Sequence, residues 1–329
     1  MESSIKRVGV IGVGHLGQHH ARVYTELLDA RLVGVADRDE GRARLIGDNL
    51  GVPAYASLAE LIDRQAPDAV SIVVPTSLHY DVARAAMEAG VHVLIEKPVT
   101  TRPDEAEVLL RLAAKNDLVL QVGHIERFNS AVRYISQAIH TPIYLESKRI
   151  GPFSPRINDV GVVLDLMIHD IDIILSLVPS PIARIAATGR CVQTDHEDIA
   201  DAQITFENGV MAHILVSRVS EKKQRQMEIM EPQRHISVNY ETQTVQINRC
   251  VRDNNGQTEI LETPIFPKSE PLKLELAHFI RCVREKRQPL VGIRDGKRAL
   301  EVAIEVLRQI HEPSVRQGQG NNLSMSAVS

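Results

Sequence analysis

From residue 6 to about 124, short apolar, β-branched runs alternate with longer stretches in which apolar positions recur every three or four residues. Continuous apolar runs of strand length suit strands buried on both faces, and the three-to-four spacing suits helices with one apolar face. Strands are predicted over 6–13, 31–36, 69–75, 92–96 and 118–123, with helices over 17–28, 78–89 and 103–115 between them. The last of these has Pro103 near its first turn and the acids Asp104, Glu105 and Glu107 toward the positive end of its dipole. Strand and helix in alternation build right-handed βαβ units, hence a doubly wound parallel sheet of the α/β class. Ligands of such sheets lie beyond the carboxyl ends of the strands, which singles out 12–17, Asp37, 75–79, 96–98 and 121–124.

After 124 the pattern changes. A helix over 129–139, a strand over 143–150 and a helix over 159–177 precede strands over 182–188, 200–206, 210–218, 225–230, 235–240 and 244–250. Turn residues Glu207-Asn208-Gly209 and Asn254-Asn255-Gly256 punctuate the run. Strands grouped after helices predict an α+β unit with a mainly antiparallel sheet. Helices over 273–285 and 295–311 follow, the latter apolar at Ala299, Val302, Ala303, Val306 and Ile310 and therefore core-facing. Two domains are expected, 1–124 and 125–311, followed by a Gly-, Gln-, Asn- and Ser-rich tail over 312–329 that should fray.

A net charge of −4 rules out a global basic field for holding nucleic acid or an anionic membrane, so phosphate recognition must be local. Cys191, Cys250 and Cys282 are far apart and odd in number, which speaks against a disulfide framework or zinc site and fits a reducing cytoplasm. No apolar run approaches the ~20 residues of a membrane span, and the first strand begins too early to leave room for a signal peptide. The histidines His15, His19, His20, His79 and His92 form no metal-ligand spacing with acids, so no metal is expected.

The densest chemistry lies at the first strand end. Gly12-Val13-Gly14-His15-Leu16-Gly17 follows a strand and opens a helix, and Asp37 closes the next strand about 20 residues on. Glycines there permit the tight turn and a close backbone approach, so the helix can offer free N–H groups and its positive end to a pyrophosphate. A carboxylate at position 37 accepts hydrogen bonds from ribose hydroxyls and repels a 2′-phosphate, favouring NAD over NADP, while Arg38 beside it can reach such a phosphate. Candidate cofactor-binding residues are Gly12, Val13, Gly14, His15, Leu16, Gly17, Asp37 and Arg38, with Pro75, Thr76, His79, Glu96, Lys97 and Gln121 from the other strand ends.

Glu96-Lys97-Pro98 places a lysine where the nicotinamide end of a dinucleotide should lie, in a turn that Pro98 fixes and whose Lys97–Pro98 bond is expected to be cis. Farther on, Asp165 and His169 fall about 40° apart on an α-helix, close enough to address one ligand, and Asp172 is on nearly the same stripe. Apolar neighbours on both sides bury them, and an Asp/His pair in such surroundings suits proton chemistry. Arg127, Lys148, Arg149 and Arg156 supply cationic donors suited to a diphosphate, and Asn129 a donor and acceptor for sugar or base.

The segment GVGHLGxxHA, the tripeptide Glu96-Lys97-Pro98 and the Asp165-x-x-x-His169-Asp170-Ile171-Asp172 helix together resemble the glucose–fructose oxidoreductase, inositol dehydrogenase and rhizopine-catabolism oxidoreductase family, over roughly 1–311. That resemblance implies a Rossmann domain, a second domain whose large open sheet makes a homodimer or homotetramer, and an active site between them with Lys97, Asp165 and His169 as catalytic residues. A narrower resemblance rests on Val122-Gly123-His124-Ile125-Glu126-Arg127-Phe128-Asn129, on Arg149-Ile150-Gly151-Pro152-Phe153-Ser154-Pro155-Arg156 and on Asp159-Val160-Gly161. These are similar to the branch that oxidises the 3-hydroxyl of UDP-N-acetylglucosamine ahead of transamination to a 3-amino sugar for lipid A. It implies substrate contacts by Lys97, Glu126, Arg127, Asn129, Arg149, Arg156, Asp165 and His169. Oxidation of a free polyol or monosaccharide, and a regulatory protein that binds the dinucleotide without turnover, remain alternatives. So do Lys97 and His169 as the base.

Overall fold

The computed structural model describes residues 5–154, 160–253 and 256–312. Its first sheet is built from β1 (Lys6–Ile11), β2 (Ala30–Ala36), β3 (Ala54–Tyr55), β4 (Ala69–Ile72), β5 (His92–Glu96) and β6 (Leu120–Gly123), all parallel, in the order β3-β2-β1-β4-β5-β6. The order reverses direction at β1/β4, the switch point at which a doubly wound sheet opens a crevice. Helices α1 (Gly17–Glu26), α2 (Glu40–Leu50), α3 (Leu58–Gln65), α4 (His79–Glu88) and α5 (Pro103–Lys115) make the crossovers. The two-residue β3 and the helices around it were not singled out in the sequence.

The second sheet has eight strands: β7 (Tyr144–Ile150), β8 (Ile182–Arg190), β9 (Ile199–Phe206), β10 (Met211–Ser217), β11 (Gln224–Glu231), β12 (Arg234–Asn239), β13 (Thr244–Asp253) and β14 (Gly256–Glu262). Its order is β14-β13-β12-β11-β7-β10-β9-β8, antiparallel except for the β7/β10 pair. Strand β14 was not anticipated. Along β7 burial alternates strictly, so Leu145, Ser147 and Arg149 point to the covered face and Tyr144, Glu146 and Lys148 to the open one. The covering helices are α6 (Ser130–Ala138), α7 (Ile168–Leu177) and α9 (Ile293–His311), which share one apolar core with the sheet. The open face carries exposed Met211 and Met230 and the pairs His213–Asp201 and His235–Glu228.

Two segments tie the sheets together. Helix α9 gives Ala299, Val302, Ala303 and Val306 to the core of the second sheet and Ile293 and Leu300 to that of the first. Val122 N–H, in β6, donates to Val291 O at 3.0 Å. Helix α8 (Pro271–Glu285) lies within the range 125–311 yet packs Leu272, Leu276, Phe279, Ile280 and Val283 onto the first sheet with α1. The first sheet's second face is thus closed by a helix that comes from far along the chain.

That helix carries Glu275, fully buried with neither carboxylate oxygen hydrogen-bonded among the described residues. Burial and the nearby Glu96 push its pKa well above the carboxylate range, so one proton stays on Glu275 while Glu96 is ionised. A native pKa above the unfolded one means that the fold holds an extra proton between the two values, and stability falls as pH rises through that interval. Glu275→Gln should therefore match the wild-type Tm near pH 4 and exceed it at pH 8, as read by circular-dichroism melts. An equal loss at both pH values would show that the carboxyl stabilises the fold in either form.

Candidate active site

The glycine turn is dictated by close packing. Gly12 has φ of 84°, and a Cβ there would lie 2.6 Å from Val73 O; one at Gly17 would lie 1.8 Å from Gly12 O. A Cβ at Gly14 meets no atom within 4 Å, so the space over the turn is open to a ligand. Helix α1 starts at Gly17 with no side-chain cap and no acid in its first turn; the N–H groups of Gln18, His19 and His20 turn back onto Gly14 O and Leu16 O, and the positive end of the helix faces the turn.

Asp37 accepts from Val13 N–H at 2.9 Å and from Asp39 N–H at 2.9 Å, which fixes its carboxylate beside the turn. The Val13 backbone donor is thereby engaged within the fold instead of being free for a cofactor. Arg42, absent from the expected set, stands 3.5 Å from Asp37 Oδ2. Together with Arg38, Gly12 and Gly14 they line a cavity of about 460 Å³. Val73, Val74 and Pro75 continue from it into a second cavity of about 260 Å³, where Leu16, Thr76, His79, Glu96, Lys97, Pro98 and Asp165 converge. Two adjoining cavities along the carboxyl edge of one sheet suit the two halves of a dinucleotide.

At the second cavity the Lys97–Pro98 bond is cis, as expected. His79 is buried, with its ring nitrogens 2.8 Å from Pro98 O and 2.9 Å from Val74 O, so it braces the turn from behind. Burial pushes its pKa below the ordinary histidine range. Glu96 turns inward to His20 Nε2 at 3.2 Å, in the room left by Gly123, where a Cβ would lie 2.7 Å from the carboxylate. Burial opposes ionisation of Glu96, yet His20 and Lys97 hold its pKa below the usual range. Gln121 is fully buried and donates to Glu275 O at 3.2 Å, which places it behind the sheet and away from both cavities. His15 lies on the exposed side of the turn, its ring 5.5 Å from that of His19.

Lys97 Nζ donates to Asp165 O at 2.7 Å and lies 3.4 Å from Asp165 Oδ1. The expected Asp165–His169 pairing is not formed. Residues Val163–Met167 make a π-helical turn before α7, and its wider winding departs from the 3.6-residue spacing on which that pairing rested. Glu197 holds the start of this turn, accepting from Val163 N–H at 3.1 Å, in a space that a Cβ on Gly161 would fill. His169 keeps Nδ1 enclosed and without a hydrogen-bond partner among the described residues. Burial, then the charges of Lys97, Arg149 and Arg225 and the neighbouring ring of His124, push its pKa well below the ordinary value.

The expected diphosphate donors are differently employed. Arg149 is buried, with Nε 2.7 Å from Asp170 Oδ2 and Nη1 2.9 Å from Glu126 Oε1, and its guanidinium lies over the Tyr240 ring. Arg127 faces buried Asp172 at 3.6 Å. Asn129 caps α6 through Ala131 N–H and donates to Tyr240 O and Glu126. Glu126, Arg127, Asn129 and Arg149 thus form an internal network, assembled from segments too distant for sequence spacing to reveal. Arg156 lies outside the described residues. A third cavity, of about 240 Å³, adjoins Asp165 and is lined by Arg149, Arg218, Lys223 and Arg225, the last three unforeseen. Lys148 lies on the open face, and no cluster suited to a metal ion occurs among the described residues.

Residues 6–124 match the oxidoreductase family with an NAD-binding Rossmann fold, and 123–233 match the GFO/IDH/MocA C-terminal domain. The chain belongs to this family. It is 38% identical over 303 residues to a UDP-N-acetylglucosamine 3-dehydrogenase of Acidithiobacillus ferrooxidans, covering 91% of this chain and 96% of that one. A solved structure of that enzyme superposes with a TM-score of 0.87 over 93% of this chain and 97% of that chain. An NAD-dependent scyllo-inositol 2-dehydrogenase of Bacillus subtilis is 29% identical, covering 91% and 92%. The cofactor is NAD, and the open turn at Gly14, the uncapped start of α1 and the Asp37 cavity fit it.

Asp37→Ala should weaken NAD binding by about 10- to 100-fold, the cost of losing hydrogen bonds to a charged acceptor. It should also narrow the gap to NADP, because Arg38 and Arg42 then face the ribose without a carboxylate. Titration calorimetry with both dinucleotides checks this; an unchanged preference would remove Asp37 from cofactor selection.

Proposed function

We propose that this chain is an NAD-dependent dehydrogenase that oxidises the 3-hydroxyl of UDP-N-acetylglucosamine to the 3-keto sugar nucleotide. The observation that carries the reading is a set of three cavities, the first two sharing Val73–Pro75 and the last two sharing Asp165, with Lys97 in the second held on Asp165. The full-length likeness to the Acidithiobacillus ferrooxidans dehydrogenase supports the substrate. NAD, when bound, supplies the acceptor for the hydride that leaves the sugar carbon. Lys97, its ammonium oriented by Asp165, stabilises the alkoxide that develops on the reacting oxygen. His169, kept neutral at physiological pH, accepts the hydroxyl proton. Asp165 orients Lys97 instead of the imidazole.

The 3-keto product is the substrate form for an aminotransferase, and a 3-amino sugar for lipid A is the destination this reading gives it. The reaction belongs in the cytoplasm, where the thiols of Cys191 and Cys282 stay reduced. No helix among the described residues is long and apolar enough to cross a membrane. The open face of the eight-stranded sheet is the surface through which copies of the chain form a homodimer or homotetramer, its exposed Met211 and Met230 supplying apolar contacts.

UDP-N-acetylglucosamine should reduce NAD in the presence of the protein and free N-acetylglucosamine should not; oxidation of both would favour a free-sugar dehydrogenase. The proton acceptor has its own signature. Around His169 stand the cations Lys97, Arg149 and Arg225, the buried imidazole of His124, and the acids Asp165, Asp170 and Asp172 on its own helical segment. Because burial and then these cations depress its pKa, kcat should be flat through neutral pH and fall only below the ordinary histidine value of ~6.5. His169→Asn should lower kcat by ~10² to 10⁴ and abolish that fall, with NAD affinity nearly unchanged. Survival of the fall in His169→Asn with its loss in Lys97→Ala would make lysine the base.

A further inference from the structure

The ladder between β7 and β11 places Arg225 directly opposite Arg149, both on the face that the helices cover. Like charges facing each other across a ladder repel. Arg149 is neutralised by two carboxylates, Asp170 and Glu126. Arg225 has no hydrogen-bond or ion-pair partner for its guanidinium among the described residues. It is half-buried, so neither bulk water nor a carboxylate of the fold fully compensates its charge.

The other cations of the same cavity are engaged. Arg218 Nε lies 2.6 Å from Asp198 Oδ1, its Nη1 donates to Val160 O at 2.8 Å, and Lys223 pairs with Glu241. Arg225 therefore presents a forked donor to a cavity of about 240 Å³ whose lining includes Asp165, the residue that holds Lys97. An anion seated against Arg225 would sit one cavity away from the reacting end. That is the relation between the diphosphate and the sugar in a nucleotide sugar.

We infer that Arg225 binds the diphosphate of the substrate and so selects a nucleotide sugar over a free sugar. The inference rests on the proposed nucleotide-sugar reading and assigns to β11 the role that sequence spacing gave to Arg127 and Arg149. Arg225 acts in binding and takes no part in proton or hydride transfer. Planar, forked geometry matters as well as charge, so a lysine at this position restores only part of the affinity.

Equilibrium binding of UDP to the NAD-loaded protein tests it without depending on turnover. Arg225→Gln should weaken UDP by about 10- to 100-fold, as loss of hydrogen bonds to a charged group does. Arg225→Lys should fall between the two, and weak binding of uridine, which lacks the diphosphate, should be the same in all three proteins. KM for UDP-N-acetylglucosamine should rise in parallel while kcat changes little, the mark of lost ground-state binding. Unchanged NAD affinity and circular dichroism confirm that the variants are folded. UDP bound equally by wild type and Arg225→Gln overturns the assignment and leaves the nucleotide-sugar reading standing. A wild type that binds no UDP overturns both.

Discussion

The ammonium of Lys97 on the backbone carbonyl and carboxylate of Asp165 is the contact around which the two sheets are arranged. Lys97 stands at the carboxyl end of β5, where a doubly wound sheet presents its ligand, and Asp165 stands in the π-helical turn that leads into α7. Each partner is held by something else. His79 braces the turn after Lys97, Glu96 anchors it inward through His20, and Glu197 fixes the start of the π turn. The side chains of Lys97 and Asp165 are only 16% and 19% exposed, so the charge of each would be costly without the other.

Behind this contact the second unit supports a dense set of buried charges. Arg149 with Asp170 and Glu126 lies between the sheet and its helices, Arg127 faces Asp172 of α7, and Arg218 at the end of β10 holds Asp198 at the start of β9. Such pairs contribute little net stability after desolvation, but removing one member leaves an unpaired charge in the interior, so they fix the relative position of strand and helix. Burial and Lys97, joined by Arg149 from this set, depress the pKa of His169, which keeps the imidazole in its neutral form. Structural and chemical roles are thus carried by one group of side chains.

Legibility followed range. The parallel sheet and its ligand edge could be read from 6–124 because strand, turn glycines and Asp37 are local features with fixed geometry. Mainly antiparallel strands were legible too, although β14 was missed, its sequence Gly-Gln-Thr-Glu-Ile-Leu-Glu being too polar to stand out at a sheet edge. The internal contacts of Arg127, Asn129 and Arg149 were not foreseen because their partners, Asp172, Tyr240 and Asp170, come from other elements. Arg225 was passed over for a related reason. Its place opposite Arg149 exists only in the β7/β11 register, which no local pattern specifies. The Asp165–His169 pairing failed on a single irregular turn, since a π turn leaves no signature in hydrophobic spacing.

A double-mutant cycle of Lys97→Met and Asp165→Asn, read as kcat/KM for UDP-N-acetylglucosamine, addresses the central contact directly. If Asp165 works by orienting the Lys97 ammonium, each single variant loses most of the activity, and the double variant loses at least about 5-fold less than the product of the two losses. Strictly multiplicative losses would contradict the account, because two residues that act through one contact cannot fail independently.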